Sequence, residues 1–190
     1  MLYNTFTHHI HSEIIPSNKE ELLYELENAE LDNNQNFKWN DSCLVDLERL
    51  KLDQKNIGWF GPSLKVFFDD LNIDATQLKL KIRLDGIWRN TYKKGYFQEV
   101  HDHIPSDLSG VVFLTDEQDG DGQFYFDNRF VSYTHYPWRN LNIFKGKFWI
   151  KAERGKVILF PSFMSHGVSA HKTDNIRKTV SFNIKFNTTY

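Results

Sequence analysis

At residue 77 the apolar period of this chain changes, and that change limits the folds open to it. Upstream, Leu64, Phe67, Phe68 and Leu71 follow Gly61-Pro62 at i, i+3, i+4 and i+7, one stripe of a helix. Downstream, Leu78, Leu80, Ile82 and Leu84 alternate with Lys79, Lys81 and Arg83, as in a strand with one buried face. Further strand candidates lie at 97–103, 108–115, 122–126, 129–135, 147–152, 156–160, 166–171 and 177–187, separated by Gly, Pro, Asp and Asn. Many short strands joined by turns predict a sandwich or barrel, not a parallel sheet crossed by helices. A length of 190 residues fits one domain, 1–190, with a helical support region at 1–76 and a β core at 77–190. The expected class is mainly β with N-terminal helices (α+β), around a core rich in the chain's 16 Phe, 8 Tyr and 5 Trp.

Within the support region, Ser17-Asn18-Lys19-Glu20 reads as a capping box ahead of Leu22, Leu23, Leu26 and Ala29, which predicts a helix over 17–30. Asp41 or Ser42 is placed to cap a second short helix bearing Leu44, Leu47 and Leu50.

A net charge of −2 gives no basic surface for a phosphate backbone, so nucleic acid is not an expected partner. Cys43 is the single cysteine, which rules out an intramolecular disulfide and agrees with a reducing, cytoplasmic location. No apolar run approaches the roughly 18–20 residues that cross a bilayer, and "MLYNTFTHHIHSEIIP" lacks the basic-then-apolar order of a leader.

In a strand, residues i and i+2 share a face, so His101 and His103 can aim at one point while Asp102 faces away. Val157 to Phe160 ends at Pro161, and His166 opens the next apolar stretch, able to bring a third imidazole to the same mouth. Arg177 follows eleven residues later, where a neighbouring strand would carry its guanidinium deeper, fit to fork onto a carboxylate. His171 sits at an odd offset from His166 and is expected on the opposite face. His8, His9 and His11 read as a strand or arm with no metal role. "TDEQDGDGQFYF" lacks the alternating oxygen ligands of a calcium loop and reads as a hairpin turn between Val111–Leu114 and Phe124–Phe126.

From Tyr92 to the C-terminus the sequence resembles the Fe(II)- and 2-oxoglutarate-dependent oxygenases, in particular small ones of marine bacteria and phages and, more distantly, prolyl hydroxylases. "YKKGYFQEVHDH" resembles their Y-x-x-G-x-x-Y-x-x-H-x-D lead-in, with Gln98 where the pattern has its second Tyr. "LSGVVFLTD", "DGQFYF" and "GKVILFPSFMSHGV" are similar to three later segments, and Arg177-Lys178-Thr179 to the R-x-S/T that binds 2-oxoglutarate. The resemblance implies a double-stranded β-helix (jelly-roll or cupin-like barrel) with Fe(II) on His101, His103 and His166. It further implies 2-oxoglutarate chelated to the metal with its far carboxylate on Arg177, helped by Thr179 and Tyr92, O2 at the remaining position, and hydroxylation of a C–H bond of a small-molecule or peptide substrate with release of succinate and CO2. One departure is His103 at the usual carboxylate position, which leaves the metal one unit more positive.

The same residues overlap a cupin pattern through Gly95, His101, His103, Asp107, Gly155, Pro161 and His166, though Leu114, Phe163 and Ala170 depart from it. On that alternative Asp107 is a fourth ligand and 2-oxoglutarate has no part; a third alternative is an inactive binding barrel. Trp88, Arg89 and Asn90 are candidates to line the substrate opening. The segment 129–142 is expected as either a lid or a packed surface hairpin.

Overall fold

A computed structural model describes residues 10–32, 45–141 and 143–188. The chain runs β1 (Ser12–Ile14), α1 (Lys19–Asn28), β2 (Asp46–Arg49), a 3-10 turn at Gln54–Phe60, α2 (Gly61–Asp70), β3 (Leu80–Tyr92), β4 (Gln98–His101), β5 (Leu108–Phe113) and β6 (Phe124–Asp127). A 3-10 turn at Arg129–Tyr133 and α3 (Tyr136–Asn140) follow, then β7 (Lys147–Ile150), β8 (Val157–Pro161), β9 (His166–Val168) and β10 (Arg177–Thr188).

Strand pairing defines the architecture. β3 pairs with β10, β4 with β9, β5 with β8 and β6 with β7, all antiparallel. This is one ribbon doubled back between β6 and β7. Its rungs fall alternately in a six-stranded sheet, ordered β1-β8-β5-β10-β3-β2, and a four-stranded sheet, ordered β4-β9-β6-β7, so the ribbon coils into a double-stranded β-helix.

Two apolar layers follow from the period-two pattern. On one face of the large sheet Leu84, Val112, Leu159, Val180, Phe182 and Ile184 pack with Leu22, Leu26, Phe60, Leu64 and Phe67 of the support. On the other, Val111, Phe113, Ile158 and Phe160 meet Phe124, Phe126 and Val168 between the sheets. The α1 and α2 stripes are buried as expected, at Leu22, Leu23 and Leu26 and at Leu64, Phe67 and Phe68.

Several local expectations are corrected. The capping box does not form: Asn18 occupies the cap and donates its amide to the Trp59 carbonyl (3.1 Å), while a turn closed by Lys19 N–H on Pro16 O delays the helix to Lys19. Leu47 lies in strand β2, not in a helix, because β3 offers a paired edge from Trp88 to Thr91; the proposed caps Asp41 and Ser42, and Leu44, are outside the described residues. β3 begins at Leu80, which leaves Leu78 before it and exposed. The segment 129–135 holds no strand: Arg129–Tyr133 form a 3-10 turn, begun by the Asn128 side chain accepting the Phe130 N–H (3.2 Å). Residues 115–123 cross between the sheets and make no hairpin, since β5 pairs with β8 and β10.

Gly110, in β5, faces Phe182 across the β5–β10 pair. A Cβ there would lie 2.2 Å from the Phe182 ring, and that ring is stacked on Phe60 at 3.8 Å with nowhere to retreat. We expect Gly110→Ala to lower stability by about 1–3 kcal/mol as overpacking does, read as a reduced urea midpoint at unchanged slope.

Candidate metal and co-substrate site

β4 ends at His101 and β9 begins at His166, and these two residues are register partners, so the small sheet itself brings their rings to 4.4 Å between centroids. His103 lies beyond the end of β4; its N–H donates to Ser162 O (2.9 Å), which turns its ring back to 4.9 Å from His101 and 5.0 Å from His166. The i, i+2 strand geometry therefore holds only in its result. Each of the three can offer a ligand nitrogen, all within 4.8 Å of one another, and together they can hold one metal ion.

The chemistry of the rings suits this. His101 Nδ1 contacts Glu99 O (2.8 Å) and His166 Nδ1 contacts Met164 O (2.9 Å). A carbonyl only accepts, so both rings carry their proton on Nδ1 and keep Nε2 as the basic nitrogen. Phe124 stacks on His166 at 5.4 Å and Phe160 meets it edge-on at 4.9 Å, which fixes its plane. Burial lowers the pKa of all three, His103 to about 3 and His166 well below its usual value, with mutual repulsion adding to both. They are neutral ligands near neutral pH.

His171 contrasts with them. It is buried, accepts from Gly122 N–H at Nδ1 (3.0 Å) and so donates from Nε2 to Asn175 O (2.8 Å), which uses both nitrogens in the protein. It stands outside the group, as does Asp107, whose carboxylate accepts from Phe186 N–H (2.8 Å). The fourth ligand of the cupin alternative is thus committed elsewhere. Asp102 turns outward to Arg129 (3.7 Å).

The same cavity is lined by His101, His103 and His166 and by Arg177 and Thr179. Arg177 is 2% exposed, and Nε, Nη1 and Nη2 all lack hydrogen-bond partners among the described residues. Its guanidinium rests 4.9 Å from the Tyr92 ring centroid and 5.6 Å from that of Phe113. A buried cation with three orphaned nitrogens fits a carboxylate ligand. Thr179 accepts from Asn90 Nδ2 (3.3 Å), which leaves its hydroxyl proton to donate. Tyr92 donates to Gln98 Oε1 (2.8 Å), and Gln98 Nε2 reaches His101 Nε2 (3.5 Å). Gln98 is a buried member of this cavity wall whose role the sequence did not signal; the clue was its place in the tyrosine position of the lead-in, while Asn90, expected at the opening, is buried and donates to Thr179 and Ser181 (3.0 Å). Of the residues expected at the opening, Trp88 stands 5.4 Å from His103, whereas Arg89 points to the opposite face and donates to Leu26 O (2.8 Å).

This fold and site define a jelly roll with a three-histidine group able to hold a metal ion and a buried guanidinium lining the same cavity. The family described as "Putative 2OG-Fe(II) oxygenase" matches residues 86–183, more than half of the chain. The chain belongs to that family of Fe(II)- and 2-oxoglutarate-dependent oxygenases. No curated protein matches the sequence. Among solved structures, a prolyl-4-hydroxylase of Pseudomonas putida is 13% identical with a TM-score of 0.56, covering 94% of this chain and 93% of that one. HygX of Streptomyces hygroscopicus, with nickel and 2-oxoglutarate bound, is 15% identical with a TM-score of 0.54, covering 92% and 82%. A 2OG-Fe(II) oxygenase-family oxidoreductase of Burkholderia pseudomallei is 14% identical with a TM-score of 0.54; it covers 74% of this chain, which spans just under two thirds (66%) of its length. These likenesses show the shared fold. No helix among the described residues is long and apolar enough to cross a membrane.

Because the three rings are neutral when folded and protonate near 6.5 when unfolded, stability is whole above pH 6.5 and lost as pH falls toward the folded value. For His103 alone this amounts to about 1.4 kcal/mol per pH unit between 6.5 and about 3. Urea midpoints of the metal-free chain are expected to drop from pH 7 to pH 5, and a flat profile would contradict the neutral cluster.

Proposed function

We propose that the chain hydroxylates a C–H bond of a small substrate, with His101, His103 and His166 as the iron ligands and Arg177 as the anchor of 2-oxoglutarate. The observation that carries this is the buried guanidinium, without a geometrically formed hydrogen bond among the described residues, lining one cavity with the three-histidine group. Bound Fe(II) would supply the reduction of O2, coupled to conversion of 2-oxoglutarate into succinate and CO2 with one oxygen delivered to substrate.

The protein's own part is binding and orientation. Arg177 forks onto the distal carboxylate, Thr179 adds a hydroxyl donor, and Tyr92 forms the wall that keeps the guanidinium in place. Gln98, held by Tyr92, sets the lead-in strand that ends at His101. The aromatic shell of Phe113, Phe124 and Phe160 excludes water from the reacting centre. His103 in place of a carboxylate is a neutral ligand, so the metal keeps a higher charge toward an anionic co-substrate.

Two measurements test this. His166→Ala is expected to abolish iron-dependent succinate formation from 2-oxoglutarate. Arg177→Met is expected to weaken anaerobic 2-oxoglutarate binding by about a hundredfold, the loss of charge-assisted hydrogen bonds, and at the same time to raise the stability of the ligand-free chain by about 1–4 kcal/mol, since it removes an unpaired buried charge. Equal 2-oxoglutarate affinity in parent and Arg177→Met would refute the anchor.

A further inference from the structure

β7 is the last strand of the four-stranded sheet and, among the described residues, pairs with β6 alone. Asn128 N–H donates to Gly146 O (2.8 Å) in continuation of the β6–β7 register, and hydrogen-bonded pairs alternate along an antiparallel ladder, so Phe148 and Ile150 also direct their backbone groups to β6. The N–H and C=O of Lys147 and Trp149 therefore point outward, along an edge that no described strand covers. Side chains alternate as well. Phe148, half exposed, borders a groove of about 420 Å³ together with Phe126, Ile143, Phe144 and Met164, while Lys147 and Trp149 stand on the other face of the strand, the ammonium 3.9 Å from the Tyr125 ring centroid.

We propose that an extended polypeptide segment docks on this edge as a fifth strand, with apolar residues on the groove face and an acidic residue opposite Lys147. The class of partner follows from the edge itself. Donors and acceptors alternate along it, which another peptide backbone satisfies, whereas phosphate oxygens only accept and a lipid surface offers no matching row. Charge narrows the choice. From Asn128 to Ala152 the sequence carries Arg129, Arg139, Lys145, Lys147 and Lys151 and no Asp or Glu. Asp127, the β6 partner of Lys147, forms no ion pair with it, since the ammonium lies over Tyr125 instead, and a ring does not neutralise a charge. An acidic residue set opposite Lys147 gains the cross-strand attraction, and a second copy of this chain, which would bring its own β7 lysine, is disfavoured by like charges along one edge. The groove face asks for apolar residues: Ile143, Phe144 and Phe148 are all exposed, and side chains laid over them take that surface out of water. Neither iron nor 2-oxoglutarate takes part in this contact.

The test is fluorescence anisotropy of a labelled eight-residue peptide that alternates Val and Glu, titrated with the full chain. The Val/Glu peptide is expected to bind at least about tenfold more tightly than its Val/Lys counterpart, and Lys147→Glu is expected to reverse that order. Methylating the backbone nitrogen of every second residue gives two further peptides; the one methylated where its N–H faces β7 is expected to bind about tenfold more weakly, and the other to bind as before. Trp149→Pro removes an outward N–H and no bond to β6, and is expected to weaken the Val/Glu peptide about tenfold. Lys147→Glu decides the matter if Trp149→Pro lacks a cooperative urea transition. The proposal is overturned if the Val/Glu peptide does not bind, if the Val/Lys peptide binds the parent equally, if Lys147→Glu leaves the order unchanged, or if both methylated peptides bind as the parent peptide does. It is also overturned if oligothymidylate binds as tightly as the Val/Glu peptide, or if sedimentation shows the parent dimeric and Trp149→Pro monomeric, which would give the edge to a nucleic acid or to a second copy.

Discussion

The register of β10 against β3 is the constraint on which the rest of the molecule depends. Cross-strand partners share a face, so one face of this pair presents Val180, Phe182, Ile184 and Leu84 to the helical support. The other presents Arg177 with Tyr92, Thr179 with Asn90, Ser181 with Trp88, and Asn183 with Gly86. A slip by one residue would push Arg177 into the apolar layer and Phe182 into the cavity. The Phe60–Phe182 stack at 3.8 Å, pressed onto Gly110, is therefore what places the polar row. Packing on the outer face sets the position of chemistry on the inner one.

This explains what the sequence revealed. Strands β5, β8 and β10 were legible because β-branched and aromatic residues recur at period two between turn residues, and the three histidines and Arg177 were legible because they sit at the ends of such strands. β2 was not: Leu44, Leu47 and Leu50 at spacings of three mimic a helical stripe, and only the open edge of β3 decides for a strand. The 129–135 stretch is rich in β-prone aromatics, but the ribbon has already turned there and no neighbouring strand is present to pair with it, so the Asn128 cap wins. The bulge at Asp85 was invisible as well, because neither period nor propensity encodes where a ladder slips.

The site works against the fold that carries it. Arg177 is buried with no geometrically formed hydrogen bond among the described residues, and His166 is buried beside the half-buried His101 and His103, each of which disfavours the folded chain. Two apolar layers on either side of the large sheet offset that cost. Such local conflict, concentrated in one cavity while the surrounding strands are regular, is the pattern expected where structure is retained for ligand binding instead of for stability.

Charge determines how that conflict is resolved. Asp102 faces Arg129 and Asp107 accepts from Phe186 N–H in β10, and among the described residues no carboxylate stands within the three-histidine group. With neutral rings, a divalent metal would add two positive charges to the one on Arg177, and Glu117 and Asp121 act on that guanidinium only through space, with no carboxylate among the described residues joining the histidines. A dicarboxylate that spans metal and guanidinium would bring two further negative charges to that site. Linkage makes the dependence mutual: whatever factor the metal adds to dicarboxylate affinity, the dicarboxylate adds to metal affinity. A ligand set of two histidines and a carboxylate would carry part of that charge itself. If His103 ligates the metal where a carboxylate otherwise would, metal retention would be tied more closely to the co-substrate.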